Sequence, residues 1–214
     1  MILNQYLKTI LVTGALIFAT GAQGGVYEDM LEAVELGDDA RVEALLKRGV
    51  DANTVGPKGN PLLTLAARDG KQEIVKTLLA ARPNVNARNA HGETALMLAA
   101  YNGHLDVAKA LLAAGAEVNH AGWTPLSYAA ARDQLEIARL LIKAGAKVDA
   151  EADNGTTALM MASREGHLQM VLLLLERGAD INHKNSAGYT PLEMAIANDH
   201  RDVAETLLRA GAKR

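Results

Sequence analysis

The sequence predicts an all-α solenoid, a fold in which small helical units stack in one direction. The first observation is a sequence motif that begins at Gly59, Gly92, Gly122, Gly155 and Gly188, with spacings of 33, 30, 33 and 33 residues. Self-similarity at a fixed period of this size is typical of repeat proteins. The second is the composition: 49% of the residues are hydrophobic, yet there is one Phe and one Trp. Small apolar side chains allow short helices to pack closely, so both observations favour stacked helix-turn-helix units.

Each unit is predicted to begin with a short helix, as the segment around Thr94 illustrates. Thr94 is a favourable N-cap because its hydroxyl can accept a hydrogen bond from an unpaired backbone N–H. Leu96 and Leu98 follow on the apolar face of this helix. Gly103 is expected to end the helix in the left-handed conformation, and Asp133, at the same position of the next unit, also tolerates that conformation.

A second helix is predicted from about His104 to Ala113. Its apolar residues, including Val107 and Leu111, recur at helical spacing. Gly115 ends it, and a short extended piece and a polar turn lead into the next copy. Each unit is therefore a helix, a turn, a helix and a hairpin loop. No unit could bury its apolar faces alone, so neighbouring units must stack.

These units resemble the ankyrin repeat. Residues 122–126, Gly-Trp-Thr-Pro-Leu, match the phrase that opens the first helix of the family, and residues 174–182 match the second half of its repeat. The similarity covers nearly all of residues 27–214. The resemblance implies an ankyrin-repeat solenoid: an L-shaped stack of helix pairs with β-hairpin loops projecting at right angles. It also implies that the first helices and the hairpin tips form a concave binding surface.

The resemblance predicts a single ankyrin-repeat domain over residues 25–214, with six repeats. End repeats need polar outer faces. Asp39, Arg41 and Arg201 replace apolar residues of the inner repeats, which fits that role. The predicted repeats are 27–57, 58–90, 91–120, 121–153, 154–186 and 187–214, of which the first and last are caps.

Three departures from the family pattern are informative. Pro61 stands where the other repeats have threonine, so the cap of that helix is expected to be weaker or to pass to Asn60. Only two residues separate Asn119 from Gly122, so the hairpin loop that carries Trp123 is predicted to be three residues short. The histidine that the family places after its proline-leucine pair is absent from every repeat, so its hydrogen bonds must be lost or replaced. The residues at that position are Thr64, Met97, Ser127, Met160 and Glu193.

Residues 1–24 differ from the repeats. Lys8 precedes an uncharged stretch over residues 9–25, which has an apolar centre and then small residues. This order is typical of a secretory signal peptide, with cleavage after Ala22 or Gly24. An uncleaved membrane anchor is the alternative, but the stretch is short for a span of roughly 20 apolar residues. We therefore expect an exported, soluble mature protein that does not bind membranes. The chain resembles exported bacterial ankyrin-repeat proteins, which favours the periplasm, with secretion as the alternative.

Composition and motifs argue against several functions. Without cysteine, the chain has no disulfides, thiolate metal sites or cysteine nucleophile. Its net charge of −3 argues against nucleic-acid binding, because phosphate neutralisation needs a basic face. The sequence has no HExxH, GxSxG or phosphate-loop motif, so we expect no metal, no cofactor and no catalytic residues. The six histidines stand at repeat positions or a loop tip, which favours structural roles.

The variable positions of the repeat supply the candidate binding residues. By resemblance, the residue after the loop glycine and the pair before the mid-repeat turn face the concave surface. Trp123 is the only Trp, and Trp, Tyr and Arg most often dominate binding energy. The alternative is that Trp123 only stiffens its hairpin. Tyr128 aligns with Leu65 and Leu98 and is predicted to be core. The candidate partner-binding residues are Arg68, Glu93, Tyr101, Asn102, Trp123, Arg132, Arg164 and Tyr189.

A non-catalytic module that binds an unidentified partner protein is the leading functional prediction, and we expect a monomer. An accessory factor for a periplasmic stress or redox enzyme is one alternative. The other is a small-ligand binder or an enzyme acting on the concave face. The sequence argues against the last, because it lacks a nucleophile, a base and an orienting partner at fixed spacing.

Overall fold

Short helices form nearly all the regular structure of the residues that the structure describes. The computed structural model describes residues 25–56 and 59–213. These residues include twelve helices and one isolated β-bridge, between Val55 and Pro61. The predicted all-α solenoid is confirmed, and the described parts of its hairpin loops consist of turns rather than strand ladders. The helices are α1 (25–36), α2 (Asp39–Lys47), α3 (Leu62–Arg68), α4 (Gln72–Ala80), α5 (Ala95–Asn102), α6 (Leu105–Ala113), α7 (Pro125–Ala131), α8 (Leu135–Lys143), α9 (Ala158–Glu165), α10 (Leu168–Glu176), α11 (Pro191–Ala197) and α12 (Arg201–Arg209).

Consecutive helices form pairs, and each pair packs on the next. The first helices α3, α5, α7, α9 and α11 pack in one row, and the second helices form a parallel row from α2 to α12. None of the described helices is long and apolar enough to cross a membrane. The predicted signal peptide, residues 1–24, lies outside the described residues, and the repeat boundaries stay a prediction.

Threonine caps begin four of the first helices, as predicted. Each side-chain oxygen accepts a hydrogen bond from the backbone N–H three residues later, at Thr94, Thr124, Thr157 and Thr190. Pro61 precedes α3 and gives no side-chain cap. The cap does not pass to Asn60, whose side-chain oxygen instead accepts a hydrogen bond from Asn89 at 3.2 Å. The first of the two expectations for this helix, a weaker cap, is therefore met.

Left-handed residues follow the first helices, also as predicted. Gly103 and Gly166 have φ angles of 79° and 77°. Asp133 and Asp199 have φ angles of 53° and 60° at the same repeat position. Aspartate is one of the few residues with a side chain that tolerates positive φ. The turn between the two helices of a unit is therefore maintained where glycine is absent.

A column of alanines allows the first helices to pack closely. Its members are all 0% exposed: Ala66, Ala99, Ala129, Ala162 and Ala195. The residue after each of these alanines forms a neighbouring column, which includes Ser163. The Ser163 hydroxyl donates a hydrogen bond to the carbonyl of Leu159 at 2.7 Å. That column ends at Ile196, which is 56% exposed because α11 has no further described helix pair on that side.

Polar residues in the first and last repeats have different surroundings. Arg201 is exposed, as expected for a cap. Arg41 instead forms an ion pair with Asp29 of α1 at 2.6 Å. The half-buried carboxylate of Asp39 accepts a hydrogen bond from the Thr77 hydroxyl of α4. The prediction of an outer polar face is therefore wrong for Asp39, because the polar group pairs with the adjacent repeat.

Different groups occupy the position of the family's histidine. The Glu193 carboxylate accepts a hydrogen bond from the backbone N–H of its N-cap residue at 2.7 Å, which lowers the pKa of that carboxyl. The Ser127 hydroxyl lies 3.0 Å from the Thr124 hydroxyl. The Thr64 hydroxyl is buried and has no hydrogen-bond partner among the described residues. Pro61 stands where the other repeats have the capping threonine, so it offers neither a hydroxyl nor an N–H.

Replacing Thr64 with Val is expected to raise the free energy of unfolding by about 1 kcal/mol, because the change removes a buried unpaired hydroxyl and preserves shape. The change Ser127→Ala, at the same position of another repeat, is expected to lower it by about 1 kcal/mol, because the Thr124 hydroxyl loses its partner. Urea denaturation of both variants measures the difference. A destabilised Thr64→Val protein would contradict the unpaired state of this hydroxyl.

A ladder of hydrogen bonds joins the loops of successive repeats. The side-chain oxygen of Asn119 accepts from the backbone N–H of Lys147 at 2.8 Å. The same bond forms in the other repeats, with acceptors Asn53, Asn86, Asp149 and Asn182. The loop 114–124 has 11 residues, whereas 81–94 and 144–157 have 14 each, which confirms the short loop. The ladder continues through the short loop without interruption.

Candidate functional site

A groove of about 250 Å³ lies beside the C-terminal ends of α5, α7 and α9. Ala131 lines it between Tyr101 and Arg164. These three residues occupy the same position in consecutive repeats. The groove therefore exists because an alanine stands where both neighbouring repeats have a large side chain.

Three aromatic rings form a continuous cluster along this groove. The Tyr101 and Tyr128 ring centroids are 5.9 Å apart with planes at 73°, and the Trp123 and Tyr128 centroids are 6.5 Å apart with planes at 85°. These edge-to-face arrangements are the ones that aromatic pairs prefer. Leu65 and Leu98 are buried at the position of Tyr128, but Tyr128 itself is only half-buried. The prediction that Tyr128 is core is therefore wrong in part, because its longer side chain extends into the groove.

A hydrogen-bond network fixes the Tyr128 ring. Its hydroxyl donates to Glu93 Oε1 at 3.0 Å. Glu93 Oε2 accepts from the Asn89 amide at 2.8 Å, and Asn89 in turn donates to Asn60 at 3.2 Å. Burial, and then the hydrogen bond to Glu93, raise the pKa of the Tyr128 phenol. Both carboxylate oxygens of Glu93 are thus engaged within the chain, and the network spans three repeats.

Arg132 adds a cation next to the aromatic cluster. Its guanidinium carbon lies 5.0 Å from the centroid of the Tyr101 ring, a cation–π arrangement. Arg164, by contrast, forms an ion pair with Glu165 at 2.8 Å. Among the described residues, no carboxylate oxygen lies within 4.0 Å of the Arg132 guanidinium. Arg132 is therefore held in place by a ring and keeps its charge available to a ligand.

Three of the eight residues predicted to bind a partner line the groove: Tyr101, Trp123 and Arg164. Two more, Glu93 and Arg132, lie next to it, in contact with its lining residues Tyr128 and Tyr101. The other three lie elsewhere. Arg68 forms an ion pair with Asp69 at 2.7 Å, and the Asn102 amide donates to the carbonyl of Leu98 at 2.9 Å. Tyr189 is 51% exposed on a loop two repeats after Trp123.

Besides Ser127, sequence reasoning missed two further residues that line the groove, Tyr128 and Met161. They occupy the same position in consecutive repeats, one that holds buried leucines in the earlier copies. Replacement of leucine by a longer side chain at this position was the available signal. The Tyr128 ring extends out of the core, whereas Met161 is 6% exposed and stays packed in it.

Trp123 also lines a smaller cavity, of about 150 Å³, on the side of the hairpin loops. Arg88 and Asp153, from the two neighbouring loops, line the same cavity. His120 precedes it in the short loop, with Nδ1 3.3 Å from the carbonyl of Ala121 and a buried Nε2 that has no described partner. Burial lowers the pKa of the His120 imidazole. Trp123 therefore stands between the groove and the space left by the short loop.

The other histidines mostly join repeats. His104 Nε2 lies 3.0 Å from the carbonyl of Arg68, and His200 Nε2 lies 2.9 Å from that of Arg164. His183 Nε2 lies 2.9 Å from the carbonyl of Gly155. These contacts agree with the structural role expected of the histidines. In the described ranges, no group of three His, Asp or Glu side chains is placed to hold a metal ion.

Comparison with known protein families identifies the same repeat. A search of curated proteins found no match to the chain. A family model described as ankyrin repeats matches in three copies, over residues 30–121, 118–185 and 152–213. Ankyrin repeats are generally protein–protein interaction modules. Because these matches together span residues 30–213 and the helix pairs stack as the repeat requires, the chain belongs to the ankyrin-repeat family.

Proposed function

We propose that this protein is a non-catalytic module that binds a partner protein through the groove between Tyr101, Trp123 and Arg164. The observation that carries the proposal is that Trp123 and Tyr101 line one preformed groove and that Arg132 lies against the Tyr101 ring beside it. These three residue types are enriched among those that dominate binding energy, because they combine a large apolar area with a polar group. The groove is also smaller than the clefts that usually hold small ligands, which favours a few side chains of a protein.

The order of the groove in the free protein supports the same proposal. Association costs free energy when side chains must be ordered at the interface. Here Tyr128 is already fixed by Glu93, and Arg132 already lies against Tyr101. Little ordering of these side chains is required on binding, so more of the contact energy contributes to affinity.

We also infer that the protein acts after export, in the periplasm. The support is the order of residues 1–24: a basic residue, an apolar centre, and small residues before the repeats. The chain is thus expected to meet its partner in the exported fraction, as a monomer.

Affinity capture from the exported fraction tests this proposal. The immobilised protein is compared with a variant that carries Tyr101→Ala, Trp123→Ala and Arg132→Ala. A control variant carries Lys109→Ala and Leu172→Ala on the exposed side of the second helices. We expect one partner protein to be retained by the unchanged protein and the control and lost by the groove variant. Equal retention by all three proteins would place the binding surface elsewhere.

A further inference from the structure

Given the proposed binding role of this groove, we propose that its ligand is an acidic peptide segment of the partner. A bulky aliphatic side chain of that segment lies over Ala131, and a carboxylate beside it is bound by the Arg132 guanidinium.

The shape of the groove carries the first half of this inference. Ala131 leaves space between Tyr101 and Arg164, and Met161 and the aromatic rings line that space with apolar surface. A volume of about 250 Å³ is below the range of roughly 300–1,000 Å³ usual for small-molecule sites. One or two aliphatic side chains of a peptide fit such a space, and they would cover the apolar surface that is now in water.

The charges around the groove carry the second half. Arg164 is paired with Glu165, and both oxygens of Glu93 accept hydrogen bonds from this chain. The Arg132 guanidinium is the group that still lacks a counter-ion among the described residues. The groove therefore has, at its edge next to Tyr101, a cation without a matching anion, so electrostatic complementarity favours a carboxylate over an ammonium group.

The position of Arg132 makes this cation selective. Its contact with the Tyr101 ring restricts the guanidinium plane while the side chain remains exposed. A planar guanidinium can donate two parallel hydrogen bonds to one carboxylate, and pre-orientation reduces the entropy lost in doing so. An acidic residue next to the aliphatic one therefore meets a donor that is already in place.

Selection from a phage library of random dodecapeptides tests the inference. The baits are the full-length protein, Arg132→Gln and Ala131→Tyr. The last variant fills the groove with the residue that the preceding repeat has at this position, Tyr101. On the unchanged protein we expect enrichment of peptides that have Leu, Ile or Met next to Asp or Glu. On Arg132→Gln the acidic preference should disappear and the aliphatic preference should remain, and on Ala131→Tyr both should disappear.

The best peptide is then synthesised and its affinity measured by titration. Arg132→Gln is expected to weaken the affinity for this peptide by about tenfold, because a hydrogen-bonded charge pair is lost. Arg132→Lys is expected to restore part of that affinity. Added salt should weaken binding to the unchanged protein more than to Arg132→Gln. Circular dichroism shows whether each bait is folded.

The two ways of failing are distinct. Enriched peptides that are basic or uncharged would overturn this inference and leave the groove as a protein-binding site. Selection that is the same on Ala131→Tyr as on the unchanged protein would overturn the proposed binding role of the groove as well.

Discussion

Leu174→Ala is expected to lower the free energy of unfolding by about 3 kcal/mol, because it leaves a cavity in a fully packed position. Leu174 lies on α10, 0% exposed, at the position that Leu141 and Leu111 hold in the two preceding repeats. Helix α10 packs against α8, α9 and α12. A cavity here therefore weakens both the packing within one repeat and the interfaces with its two neighbours.

The same helix offers a matched control. Leu172 is two residues earlier and is 43% exposed. Leu172→Ala deletes the same atoms but creates no enclosed cavity, so we expect a loss of about 0.5 kcal/mol or less. Urea denaturation followed by far-ultraviolet circular dichroism measures both variants. Equal losses would mean that α10 is not packed in the observed orientation.

Trp123 adds a local probe to this experiment. It is the only Trp, so tryptophan fluorescence reports on the loop before α7, whereas circular dichroism reports on all helices. In a stacked repeat protein, stability comes from each repeat and from the interfaces between neighbours. We expect the two signals to coincide for the unchanged protein. In Leu174→Ala they should separate, with the helical signal beginning to fall at a lower urea concentration than the fluorescence.

Much of the fold could be predicted because each repeat applies the same local rules. Thr94 and Gly103 bound one helix through a cap and a left-handed turn, and both effects depend on nearby backbone alone. The 30-residue spacing before Gly122 likewise determined that one loop is short. Such predictions are reliable because they involve residues a few positions apart and are repeated along the chain.

The geometry of the candidate site was less predictable because it depends on contacts between repeats. The hydrogen bond from Tyr128 to Glu93 joins residues 35 positions apart. The groove depends on the small size of Ala131. A search for the large side chains that dominate binding energy does not select an alanine. Asp39 failed as an outward cap for the same reason, since its partner Thr77 lies 38 positions away.

Trp123→Ala is expected to weaken partner binding by about 2 kcal/mol, close to thirtyfold, because Trp side chains at an interface centre commonly carry that much energy. The same change is expected to lower the free energy of unfolding by about 2 kcal/mol, since it loses the edge-to-face contact with Tyr128 and the packing of a partly buried ring against the core. Calorimetric titration with the captured partner measures the first quantity, and urea denaturation measures the second.

This pair of measurements separates the two roles considered for Trp123. A residue that only stiffens its hairpin would change stability and leave the affinity of the folded protein unchanged. Tyr189→Ala supplies the matched control, because Tyr189 follows the loop glycine two repeats later, is 51% exposed and lies outside the groove. We expect it to alter neither quantity. Loss of affinity in Tyr189→Ala as well would mean that the partner contacts the row of loops rather than one groove. In that case the contribution of Trp123 would come from its repeat position and not from its cluster with Tyr101 and Tyr128.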